Sequence, residues 1–428
     1  MSDPAATPSG LSLMRLGLPA LPLAFVALPL YMYWPHHVAT QFGISLALLG
    51  GLLFVARLFD ALIDPALGYA VDRLLSHSAL RLLRRCLLAA SLMAASFVFL
   101  FFPQWLLGRT LTLDALLLLL AVLLVVCYSC FSFLNIALQS WGARLGGDTL
   151  ARSRLVAWRE GLGLLGVVTA SVIPSWLGLH VLVSVMVLLM ALALWAWWEA
   201  PRPMPSLEGA AGWRLLLQPW GHAGFKRLLL VFLANGIASA IPATLILFFV
   251  QDRLQLPSET QMQFLGVYFV AAAVSFPLWL RLIARWGLQH SWLVGMGLAV
   301  VVFVWTLALG PGDAGAFTLI CLVSGLALGA DLIVPTAMLN GLLLQHNAHQ
   351  GHSGAFYGWW QVATKLNLAV AAGLALPLLG WLGYAPGAQD APALLALSWT
   401  YGLLPCMLKI VAMWLLLKTS LEPIKDHP

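Results

Sequence analysis

The 428-residue chain is 61% hydrophobic and 9% charged, with a mean hydropathy of +0.92 and a formal net charge of +6. Soluble domains run at about 25% charged residues, so this balance excludes an ordinary soluble fold and places the chain in a membrane. The apolar runs are long enough to span as helices, and they lack the strict alternation of a membrane barrel.

About twelve such runs follow in chain order. The first ten residues are polar with Asp3 as their one charge, and no signal-peptidase pattern precedes the first run, which is therefore expected to stay as a helix. That run covers about 16–34 and is punctuated by Pro19, Pro22 and Pro29. The second, about 44–70, holds Arg57, Asp60 and Asp64, spaced three and four residues apart and so on one helical face. The third and fourth cover about 81–102 and 112–140. Cys127-x-x-Cys130 lies inside the fourth with no strand context, so it reads as small apolar packing and not as a redox pair. The fifth, about 156–176, opens on Arg159 and Glu160 and contains Gly161-x-Gly163-x-x-Gly166, a close-packing pattern. The sixth covers about 179–198; its connection to the fifth is very short, as is that between the eighth and ninth.

The longest polar interruption follows, from Glu199 to Arg227. Its prolines favour an extended linker, while Trp213 to Leu217 suits a short interfacial helix. Six more runs centre on about 226–249, 263–284, 289–309, 315–343, 355–380 and 393–417. Breakers recur here too, at Pro242, Pro277, Pro335 and Pro377, and the tenth run carries Gly325-x-x-x-Gly329. The expected organisation is a six-helix bundle over 1–199, a cytoplasmic linker over 200–225 and a second six-helix bundle over 226–428. Six plus six with a cytoplasmic linker is the layout of the major facilitator fold, an all-α integral membrane architecture.

Positive charge sets the orientation. With both termini in the cytoplasm, the inside segments carry most of the 22 lysines and arginines, and the outside loops keep only Arg109 and Arg253. Arg57, Lys365 and Lys409 fall inside helices. The basic balance thus reports topology in an inner membrane and contact with anionic lipid, and it does not indicate a nucleic-acid partner.

A charge near the bilayer centre costs about 2.5–3.5 kcal/mol on insertion scales. Three within two turns mark Arg57, Asp60 and Asp64 as an ion site facing a protein interior or a water-filled cavity; the alternative, Arg57 neutralising one carboxylate as a structural pair, leaves one acid over. Lys365, about mid-depth in the eleventh run, needs a carboxylate partner or a lowered pKa, with snorkelling as the alternative, and Asp60 or Asp64 supplies the partner if both helices line one cavity. Neutralising a carboxylate with an entering cation would then weaken that pairing and favour closure of a gate. Asp331 reads equally as part of the site or as a gate at a helix bend. At the cytoplasmic end of the second run, Gly68-x-x-x-Asp72-Arg73 suits a gate, with Asp72 accepting from the amino end of the eleventh helix or pairing with a basic loop residue. Arg159 and Glu160 enter from the same side and join that gate; topology-setting surface charge is the alternative for the whole cluster. Asn135, Asp331, Tyr357, Trp359, Trp360 and Gln361 are the expected lining of a substrate cavity. His346, His349 and His352 lie in a polar loop with no acid or cysteine nearby and are not read as a metal site. No Ser/His/Asp set, metal spacing or cofactor loop points to an enzyme.

Arg57-x-x-Asp60-x-x-x-Asp64-Pro65-x-x-Gly68-x-x-x-Asp72 resembles the helix-two signature of the glycoside–pentoside–hexuronide:cation symporters, the melibiose permease family. Gly354-x-x-Tyr357-Gly358-Trp359, followed by Lys365, is similar to that family's eleventh helix, and the segment Arg152 to Arg159 to its loop between helices four and five. The resemblance implies that Asp60 and Asp64 bind the coupling cation, that Lys365 takes part in coupling, and that Asp72 and Arg159 belong to the cytoplasmic gate. Three departures stand out. The first helix, Gly17 to Trp34, has no acid to grip sugar hydroxyls. The fourth offers Ser132 and Asn135 but no carboxylate near Phe131 to Leu138, and Ile63 stands where sodium users carry a polar side chain. Sodium wants several oxygen ligands, whereas a proton needs one carboxylate, so H+ is favoured over Na+ as the coupling ion. The expected function is a secondary active transporter of a sugar or related small organic solute. A lysolipid-like amphiphile is the alternative cargo, and a non-transporting membrane sensor or assembly factor is the alternative class. A monomer with no cofactor is expected.

Overall fold

A computed structural model describes residues 10–44, 46–107, 112–145, 148–203, 216–257, 260–345 and 353–418. His346, His349, His352, Arg109, Trp213, Arg214 and Lys425 lie outside the described residues. Among the described residues the chain is helical, with no strand.

Among the described residues twelve long helices follow in order. They are α1 (Gly10–Phe42), α2 (Leu46–His77), α3 (Ala79–Phe101) and α4 (Leu113–Ala143). One helical stretch, Thr149–Trp198, turns at Gly178 into α5 and α6, and another, Thr260–Phe303, turns at Gly287 into α8 and α9. Both glycines have positive φ (84° and 75°) with extended ψ, a conformation closed to side chains, which is how these connections stay so short. Between them lies α7 (Ala223–Arg253), and α10 (Ala314–Gln345), α11 (Ser353–Trp381) and α12 (Ala391–Lys418) complete the set. Side-chain caps begin several of them: Ser78 accepts from the Leu80 N–H, Asp148 from Ala151 and Asp390 from Ala393. Among the described residues nine helical stretches are long and apolar enough to cross a membrane.

The helices form two compact units. The first comprises Met1–Gly221 with Leu343–Val362, and the second His222–Leu342 with Ala363–Pro428. Sequence alone divides the halves within the linker; compactness sets the border at 221/222 and assigns the start of α11 to the first unit. Glycines let that start lie against α2. A Cβ on Gly358 would sit 2.7 Å from the Asp64 carbonyl oxygen, and one on Gly354 would run into the Gly68 carbonyl. Elsewhere in the first unit a Cβ on Gly166 would strike the Leu21 carbonyl, so α5 packs closely on α1. Buried indoles tie this unit together: Trp34 donates to the Leu100 carbonyl at 2.8 Å, and Trp141 meets Trp197 edge-on at 5.6 Å.

The second unit is built around stacked aromatics. Phe249 and Tyr401 lie 4.1 Å apart and nearly parallel, with Phe317 beside them. Each of the stacked rings sits in a π-helical turn, at Phe249–Arg253 and Trp399–Leu403, which widens the helix and re-aims its side chains. Gly325 and Gly329 bring α10 against Tyr268 and Ser275 of α8.

Candidate functional site

The acids of α2 are buried within the first unit. Asp64 has no exposed surface and Asp60 only 7%, whereas Arg57 is exposed. Ser132 of α4 donates its hydroxyl to Asp60 Oδ1 at 2.8 Å, and Tyr128, one turn earlier on α4, lies beside Arg57. Two carboxylates one helical turn apart, the first already holding a hydroxyl, make a compact set of oxygens able to take up a proton or small cation.

At the end of α2, beyond the apolar stretch, Asp72 is clamped by three donors. It accepts from the Gly354 N–H at 2.7 Å, the Ala355 N–H at 2.8 Å and Arg144 Nη2 at 2.8 Å, while Arg144 Nε donates to Ser353 Oγ at 3.0 Å. The carboxylate thus caps the amino end of α11, where unsatisfied N–H groups favour negative charge. Burial pushes the Asp72 carboxyl up to about 6, against the downward pull of Arg144 and the two backbone donors. Arg73 points elsewhere. It is exposed and joins His77, Arg81, Arg84 and Arg85 around a basic concavity.

Arg159 and Glu160 pair with each other, Nη2 to Oε1 at 2.5 Å, and Arg159 lies within electrostatic reach of the buried Tyr357. Trp359 donates to the Leu216 carbonyl at 2.8 Å and meets Trp220 edge-on at 5.0 Å, so it fastens the end of the linker to α11. Trp360 and Gln361 are buried, and Asn135 is half-buried on α4.

Lys365 and Asp331 belong to the second unit. Lys365 is half-buried on α11. Asp331 pairs with Lys409 of α12 at 2.8 Å and accepts from the Trp292 indole at 2.9 Å; Lys409 also donates to Asn235 of α7 at 2.7 Å. Ser132, Arg144, Asn235 and Lys409 are among the participants that escaped the sequence reading as site residues. Ser132 is an ordinary hydroxyl in an apolar helix, and Arg144 resembles every other topology-setting arginine. Asn235 gives no signal at all. Lys409 alone carried one, its depth inside a helix.

The MFS/sugar transport protein family matches residues 16–423. The chain belongs to this family. It is 26% identical to the sodium-dependent lysophosphatidylcholine symporter 1-A of Danio rerio, over 41% of this chain and 33% of that protein. It is 27% identical to the sphingosine-1-phosphate transporter MFSD2B of Mus musculus, over 46% of this chain and 40% of that one. The chain thus spans well under half the length of these curated relatives. In structure it resembles a bacterial homologue of the iron transporter ferroportin in its outward-facing state, with a TM-score of 0.71 at 16% identity, covering 95% of this chain and 98% of that one. That likeness is one of fold. Its family and its long apolar helices make it a multi-pass membrane protein, and the two curated relatives are named as transporters.

Proposed function

We propose that the protein is a cation-coupled symporter working by alternating access, with Asp60 and Asp64 as the cation site. One observation carries the coupling: two acids one turn apart are buried in a membrane helix, a costly placement that marks a functional ion site. The proposed ion is H+, since one carboxylate suffices for a proton and Ile63 contributes no further oxygen. Lys365 takes part in coupling. Asp72 is the cytoplasmic gate, its clamp on α11 made and broken in the cycle, with Arg73, Arg159 and Glu160 beside it and both termini in the cytoplasm of an inner-membrane protein.

The proposed cargo is a single-chain amphiphile of the lysolipid class. The names of the relatives support it, as does the acid-free first helix, which offers nothing to grip several sugar hydroxyls. A sugar or related small solute is the second reading, favoured by the description of the family.

The test is uptake by cells expressing the protein, with fluorescent lysophosphatidylcholine and labelled glycosides offered in parallel under imposed pH or sodium gradients. Lysolipid uptake driven by the pH gradient, and lost in a folded Asp64→Asn variant, is the expected result. Sodium-driven uptake reassigns the ion, and glycoside uptake reassigns the cargo. Absence of uptake for every solute, or full activity of Asp64→Asn, overturns symport.

A further inference from the structure

The second unit holds a cavity of about 120 Å³ that neither the cation site nor the gate uses. Its walls are apolar and aromatic, with Pro242, Phe264, Phe269, Phe303 and the rings of Tyr268 and Tyr401 among them. An engineered cavity of about 150 Å³ with such walls takes up benzene, so this space suits a six-membered ring or a short chain. One end differs. Asp331 and Lys409, the two charged residues of a mostly apolar lining, pair there.

The polar end has hydrogen-bonding capacity to spare. An ammonium group has three donors, and among the described residues Lys409 uses two, on Asn235 and Asp331. Among the described residues the Tyr268 and Tyr401 hydroxyls carry no hydrogen bond. Pro242 has no N–H to return to the Ala238 carbonyl, and both residues line the cavity. The π-helical turn at Trp399–Leu403 is what sets Tyr401 among these walls.

Lys409 and Asp331 already neutralise each other, so an acid or an amine entering here would leave a net charge in a low-dielectric interior. A hydroxyl adds none; it accepts from Lys409 and donates to a carboxylate or carbonyl oxygen. We propose that this cavity is a binding site for a small uncharged amphiphile, a ring-sized apolar body bearing one hydroxyl, recognised at its polar end by Lys409 and Asp331. The site is independent of the transport reading above, because it rests on the second unit alone.

The test uses the full-length protein in lipid nanodiscs, photolabelled with a trifluoromethyl-diazirine benzyl alcohol and, separately, with the matching benzoate, and mapped by peptide mass spectrometry. The alcohol is expected to label the segments containing Tyr268–Phe269 and Tyr401–Lys409, with excess unlabelled benzyl alcohol removing that signal. Ser324→Phe, which fills the cavity from α10, is expected to lower labelling there by about tenfold, equivalent to about 1.4 kcal/mol of binding. Labelling confined to lipid-facing residues, or cavity labelling that resists competition in the parent protein, overturns the site. Benzoate labelling as strong as that by the alcohol overturns the uncharged head group. The competition experiment uses unmutated protein, so it decides for or against the site even where Ser324→Phe misfolds.

Discussion

Both units bury an aspartate against a basic side chain, yet they do so in different ways. In the first, Asp72 faces Arg144 and two backbone N–H groups at a helix terminus, donors fixed in the main chain of another helix. In the second, Asp331 faces Lys409, with an indole and an amide completing the set, all on side chains of helices within one bundle. A clamp on a helix end is released by moving that helix as a body. A side-chain ion pair inside a bundle separates only by leaving charge in hydrocarbon. The difference teaches that one unit holds its buried acid mainly by main-chain donors at a helix end, and the other wholly by side chains within a bundle.

The sharpest way to break this comparison is at Lys409. Lys409→Ala leaves Asp331 charged and uncompensated, and thermal unfolding is expected to show a loss of about 3–5 kcal/mol. Adding Asp331→Asn is expected to restore most of it; an unchanged single variant would mean that the pair is not buried in the working protein. Asp72→Ala comes next, removing one acceptor from three donors at about 1.5–3 kcal/mol. Its signature is local. Amide exchange at Gly354 and Ala355 should quicken by about tenfold or more, while amides of the second unit keep their rates. Uniform quickening across both units would mark Asp72 as a general stabiliser and not a clamp. The smallest effect is at Ser132→Ala, where loss of the hydroxyl on Asp60 is expected to weaken half-saturation by the coupling cation about fivefold, or about 1 kcal/mol. A normal cation response would remove Ser132 from the site.

Legibility followed chain distance. Arg57, Asp60 and Asp64 stand out because three charges share one face of an apolar run, and helical spacing needs no partner to be read. The short α5–α6 and α8–α9 connections were visible as gaps between runs, though only the backbone shows that a single glycine makes each turn. Arg144 was invisible as a site residue because its 72-residue separation from Asp72 leaves no pattern, and its charge has an adequate explanation in membrane topology. Lys409 and Asn235, 174 positions apart, meet only because α7 and α12 pack together.

The sequence by itself determined that this chain lives in a membrane, that it crosses as twelve helices and that charge is concentrated at α2. Composition and periodicity are local properties, and the bilayer enforces them residue by residue. Only the tertiary structure decided which donors meet Asp60 and Asp72, which basic residue neutralises Asp331, and that aromatic rings line a cavity at that pair. Those outcomes depend on which helix faces lie together, and facing is set by glycine contacts and ring packing between segments remote in the chain.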